Sequence, residues 1–182
     1  MATKKEKAPA VIVPSGKLEK LRNLEIAPLP EALEGQVDVR GWAVSLFTGA
    51  DYVEPDPEGL TRSMLFDSLL ATSSMDILTD AAMDSLQDVL EDFAGNTTGP
   101  IRITNVYVAA SDMEDGGPTY IILTWVDMAT GQEFRASTGA SILQRKILSH
   151  LVIGHWPIEC QIVRDKFTDA GGRHMLNMWP VD

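Results

Sequence analysis

Cysteine is almost absent from this 182-residue chain: Cys160 is the only one. No intrachain disulfide can form, which predicts a reducing, cytoplasmic setting. Long apolar runs are missing too. None approaches the ~18 residues needed to cross a bilayer. Near the N-terminus, Val11-Ile12-Val13 is too short and too closely flanked by prolines to be the core of a secretory signal. No membrane association is expected. Catalytic signatures are also lacking. There is no G-x-S-x-G, no H-E-x-x-H and no P-loop, and no Asp/Glu pair stands out as a matched acid and base. The chain reads as non-enzymatic, with no cofactor and no catalytic residues.

Positive charge is scarce, with 15 Lys/Arg against 26 Asp/Glu and a net charge of −11. The deficit is uneven. Residues 1–22 carry six cations and two acids, residues 23–99 two and fifteen, and residues 100–182 seven and nine. The acidity sits in the middle, where it marks an interaction or autoinhibitory segment. The C-terminal part is close to neutral.

The strongest structural signal runs from Pro100 to Asp182. Ile101 to Val108 is rich in β-branched and aromatic residues, and Tyr120 to Val126 is the clearest strand in the chain. Ala129-Thr130-Gly131 turns into a third strand, Glu133 to Ser137. Over Ser141 to Val152 a helix is predicted, because Leu143, Ile147 and Leu151 recur at i, i+4 and i+8. Pro157 stops it and leads the strand Ile158 to Val163, and Gly171-Gly172 turns into the strand His174 to Trp179. The order β-β-β-α-β-β is that of an OB-fold, a small Greek-key barrel. The expected class is therefore α+β: an OB-like five-stranded Greek-key barrel preceded by a helical, acidic N-terminal segment. Three parts follow: a basic disordered tail over 1–14, an extension with one strand and two acidic helices over 15–99, and the barrel over 100–182.

Within the extension, Gly35 to Phe47 alternates apolar and polar residues and reads as a half-buried strand, with Trp42 in the core or, alternatively, facing a ligand. Leu60 to Leu70 and Asp76 to Phe93 read as amphipathic helices. The second has Thr79 as N-cap, Gly95-Asn96 as its stop, and Asp80, Asp84, Asp88, Glu91 and Asp92 along its polar face. That face is solvated or, alternatively, docks a basic partner or mimics phosphate.

Single-strand binders need cations to track phosphates and aromatic faces to stack bases. In OB-folds, strands two and three and the one–two and four–five loops supply them. The candidates here are Tyr120 and Trp125 on strand two, Arg135 on strand three, and Arg164, Lys166, Phe167 and Arg173 around the four–five hairpin. Tyr120 and Trp125 face opposite ways, as do Phe134 and Arg135, so one of each pair packs inside. Arg135 is the more natural outward member. The one–two loop opposes phosphate, with Asp112, Glu114 and Asp115. Trp156 and Trp179 read as core or barrel-end packing. Lys4, Lys5, Lys7, Lys17, Lys20 and Arg22 read as a solvated basic run or, alternatively, as loose phosphate contacts.

Metal binding is not expected. His150, His155 and Cys160 are separated by four residues each, which matches no common zinc spacing. His150 lies near a helix C-terminus, where a cation is comfortable, and Cys160 reads as a small buried hydrophobe. Thr138 or Ser141 is the expected cap of the 141–152 helix, with Gln144 completing a capping box.

The Thr119–Val126 strand, the hairpin Asp127 to Glu133, Ser137-Thr138-Gly139-Ala140 entering a helix, and the proline-led strand with Arg164-Asp165-Lys166 together resemble single-stranded DNA-binding and replication accessory proteins of bacteriophages. The resemblance covers residues 101–179. It implies a five-stranded barrel, sequence-tolerant binding of single-stranded DNA in replication or recombination, and a host cytoplasmic location. The competing expectation is a protein-interaction or virion-assembly protein working through the acidic helix over 76–93.

Overall fold

The computed structural model describes residues 15–55, 85–91, 93–111, 117–168 and 174–181. Five strands form one antiparallel sheet: β1 (Ile101–Ala110), β2 (Thr119–Asp127), β3 (Glu133–Thr138), β4 (Ile158–Thr168) and β5 (His174–Pro180). Their spatial order is β3-β2-β1-β4-β5. Three consecutive strands lie side by side and the fourth returns beside the first, the Greek-key order. The described helices are α1 (Ser15–Arg22), α2 (Val39–Thr48), α3 (Leu86–Glu91) and α4 (Ser141–Val152). The class is α+β. All six C-terminal elements expected from the sequence are present, in the order expected.

The expected closed barrel is not: among the described residues the sheet is open, with β3 and β5 as its edge strands. Helical segments lie along the strands that closure would join. Ser85 makes a parallel bridge to Ser137 on β3, α3 packs on β3 and β4, and α4 packs on β5. Along β4, Thr97 bridges Val163, and Thr98 donates its N–H to the Ile162 carbonyl at 3.0 Å while accepting the Ile162 N–H on Oγ1 at 3.0 Å. A bulge between Ile103 and Asn105 bends β1 against β2.

Gly35 to Phe47 is a second correction, because most of it is helix rather than strand. Asp38 caps α2 by accepting the Gly41 N–H at 3.0 Å, and Gly49 ends it in the left-handed region at φ 76°. A Cβ at Gly41 would collide with the capping carboxylate of Asp38, so a larger residue there would displace the cap. Val39, Trp42, Ala43 and Leu46 are buried, at helical rather than strand spacing.

One hydrophobic cluster unites α2, α3, α4 and the inner face of the sheet, so the core continues across the expected boundary at 99/100. A smaller cluster of Tyr107, Ala109 and Ile122, with Tyr120 against it, lies apart from it. Of the helices expected over 60–70 and 76–93, only α3 falls within the described residues. Thr79, Asp80, Asp84 and Asp92 lie outside them, as do Asp112, Glu114, Asp115 and the Gly171-Gly172 turn. Beyond α3, Phe93 leads into a 3-10 turn over Ala94–Asn96, with Gly95 and Asn96 at positive φ. No described helix is long and apolar enough to cross a membrane.

Candidate nucleic-acid interface

The register of β2 against β3 divides the expected binding residues between two faces. Trp125 pairs with Phe134 and Thr124 with Arg135, and successive strand residues alternate sides. Trp125 is fully buried. It stacks on Phe134 at 5.8 Å between centroids with a 13° interplanar angle, and Phe134 meets Phe93 edge-on at 5.6 Å. Its ring is core and presents no face to a base. Arg135 points to the opposite side, as expected, and donates from Nε to Thr124 Oγ1 at 3.2 Å. Desolvation lowers its pKa, against the raising pull of Glu133, and the guanidinium stays charged. Tyr120 shares that side of the sheet. It lies four residues from Thr124 along β2, about 13 Å at ordinary strand rise.

Arg164 goes the other way. It is paired in register with buried Leu176 on β5, and its Nη2 lies 2.8 Å from Glu91 Oε1. The expected acidic helix thus turns one of its carboxylates onto the sheet, while Asp88 stays exposed and accepts from the Ser85 hydroxyl at 2.7 Å. Arg135 and Arg164 do not form one surface. Lys166 and Phe167 belong to β4 with their side chains outside the described set, and Arg173 lies outside the described residues. Arg102 is paired with Glu159 at 2.7 Å across β1 and β4.

Trp179, expected as packing, is 53 % exposed. Lys146 Nζ sits 5.0 Å from its ring centroid and donates to the Met178 carbonyl at 2.7 Å. The neighbouring Arg145 places its guanidinium 5.0 Å from the Phe47 centroid, and Lys17 Nζ lies 5.8 Å from the same ring. Of this group only Lys17 was expected from the sequence to meet phosphate. The adjacent cations on the polar side of the 141–152 helix were the available signal.

Gln144 does not complete a capping box. The cap of α4 is Ala140, without a side-chain bond to the helix, while Thr138 Oγ1 accepts the Ala140 N–H at 3.1 Å. Gln144 is instead a buried junction. Its Oε1 accepts from Trp42 Nε1 at 3.1 Å and from Thr119 Oγ1 at 2.7 Å, and its Nε2 donates to the Thr119 carbonyl at 3.0 Å.

The three residues weighed for a metal separate into a surface pair and a core thiol. Cys160 is buried on the inner face, and desolvation pushes its pKa up to about 12. His150 and His155 face one another at 2.9 Å between Nδ1 atoms. Among the described residues no three His, Cys, Asp or Glu side chains gather around one point. The helix C-terminus does not make His150 a comfortable cation: desolvation, then His155 and Lys146, lower its pKa from 6.5. The folded state therefore holds this proton less tightly than the unfolded chain, and stability rises with pH. It should fall as pH drops through 6.5 and level off below the lowered folded value. Urea midpoints measured from about pH 5 to about pH 8 should show this slope, and His150→Gln should flatten it.

Comparison with protein-family models, curated proteins and solved structures returns no match.

Proposed function

We propose that this chain is a non-enzymatic, sequence-tolerant single-stranded DNA-binding protein serving DNA replication or recombination, as the bacteriophage proteins it resembles do. The observation that carries the reading is the strand arrangement. A three-stranded meander is followed by a helix and a strand that returns beside the first, with a fifth strand paired to the fourth. We read this as an OB-like Greek key opened at the seam between β3 and β5. Fold alone supports function only by analogy. Chemistry supports it independently, because cations and an exposed aromatic side chain come together on a chain whose overall charge is −11. A protein this acidic holds DNA only by concentrating positive charge locally.

The test is fluorescence anisotropy with a labelled single strand of roughly 30 nucleotides, a length above the site size of one OB module. Matched duplex and a salt series serve as comparisons. Binding in the micromolar range or tighter is expected, weaker on duplex, with log affinity falling linearly in log salt at a slope of about −0.7 per phosphate neutralised. No binding at low salt would refute the reading.

A further inference from the structure

The described arginines of the sheet are already engaged. Arg102 and Arg164 are each paired with a carboxylate, and Arg135 is bonded to Thr124. Lys17, Arg145 and Lys146 differ from Arg102 and Arg164, having no carboxylate within ion-pair distance among the described residues. They sit over rings instead: Lys17 and Arg145 over Phe47, and Lys146 over Trp179. A ring quadrupole holds a cation in place without neutralising it. Two like charges on one phenyl ring, with a third on the next helical residue, make a local positive field on an acidic protein. The face also carries a preorganised aromatic element. Trp179 is 53 % exposed, and the lysine over it is tied to the strand backbone at Met178.

We propose that the face built by α1, α2, α4 and the end of β5 is a contact surface for single-stranded DNA. Lys17, Arg145 and Lys146 take phosphates, and Trp179 stacks an unpaired base. This rests on the single-strand reading and locates its contacts away from the β2–β3 face that strand order alone would nominate. An exposed indole matches a splayed-out base, since every base offers a π-face once unstacked. Duplex DNA keeps its bases stacked, and an acidic peptide would occupy the cations while leaving the indole uncovered.

The same anisotropy titration tests it, with the variants Lys17→Ala/Arg145→Ala/Lys146→Ala, Trp179→Ala and Arg135→Ala. The triple variant is expected to bind at least about tenfold more weakly and to lose about 2 from the log–log salt slope. Trp179→Ala should lose about tenfold with the salt slope unchanged, as a neutral stacking contact requires. The triple variant should be weaker than Arg135→Ala. Should it fail to fold, the exposed pair Lys17→Ala/Arg145→Ala carries the test. If wild type binds and both the cation and Trp179 variants bind equally well, the proposed face is wrong while the function stands. The face is equally refuted if only Arg135→Ala weakens binding. Polyglutamate competing as well as the single strand, charge for charge, would overturn the base-stacking assignment. Failure of wild type to bind any single strand would remove both.

Discussion

Replacing Gln144 by Ala is expected to cost about 3–5 kcal/mol of stability, enough to unfold much of the population of a marginally stable domain. Gln144 is 1 % exposed and serves three groups at once: the Trp42 indole N–H, the Thr119 hydroxyl and the Thr119 carbonyl. An alanine leaves all three in the core without this partner and opens a cavity where the side chain stood. A lost partner for a buried polar group costs about 1–3 kcal/mol, and the terms add incompletely because the groups share one site. Gln144→Leu separates the two contributions, since it fills the space and restores no bond. It should recover the cavity term only. Urea denaturation of both variants, with Thr119→Val alone and combined with each, gives the coupling. Additive losses would show that Thr119 and Gln144 are not one unit.

Trp125→Ala is expected to cost about 3–5 kcal/mol as well, by a different route. The indole fills the core between β2 and β3 and stacks on Phe134, which in turn meets Phe93 beyond α3. Removing it empties a large volume and undoes one step of that aromatic ladder. Trp125→Phe should lose much less. Among the described residues the buried indole Nε1 has no hydrogen-bond partner, so losing the N–H offsets part of the lost contact area. Thermal melts rank the two, and the anisotropy titration adds a functional readout. Single-strand affinity should be unchanged in Trp125→Phe, because the ring faces the core. A selective loss of affinity in a stably folded Trp125→Phe would return Trp125 to the binding surface.

Legibility in the sequence followed the strength of local patterning. The six elements from Ile101 to Trp179 were readable because each is bounded by turn chemistry that acts locally. Gly131 at φ 74° and the Asp127 carboxylate, which accepts the Ala129 and Thr130 N–H groups at 2.8 Å each, build one such turn. Those same bonds, the Thr130 N–H first, hold the Asp127 carboxyl below its ordinary pKa. Gly35 to Phe47 misled because apolar residues at 37, 39, 42, 44 and 46 fit part of an alternating pattern. Asp38 before and Gly49 after were the helix signals that outweigh it. Gln144 misled because a glutamine at the third residue after Ser141 satisfies a capping-box pattern, and nothing nearby reveals that Trp42 and Thr119 need it.

Sequence alone determined the order of strands and helix in the C-terminal part, the acidity of the middle and the scarcity of cations. Each of these follows from composition or from periodicities of 2 and 3.6 residues. Tertiary structure decided which cations, among the described residues, remain without a carboxylate partner and which aromatic rings meet solvent. A strand turns each successive side chain to the opposite face, so only pairing register could send Arg135 outward, Trp125 into the core and Arg164 to Glu91. Barrel closure was likewise a tertiary matter. It depends on what occupies the edges of β3 and β5, and here Ser85, α3 and α4 reach those strands first.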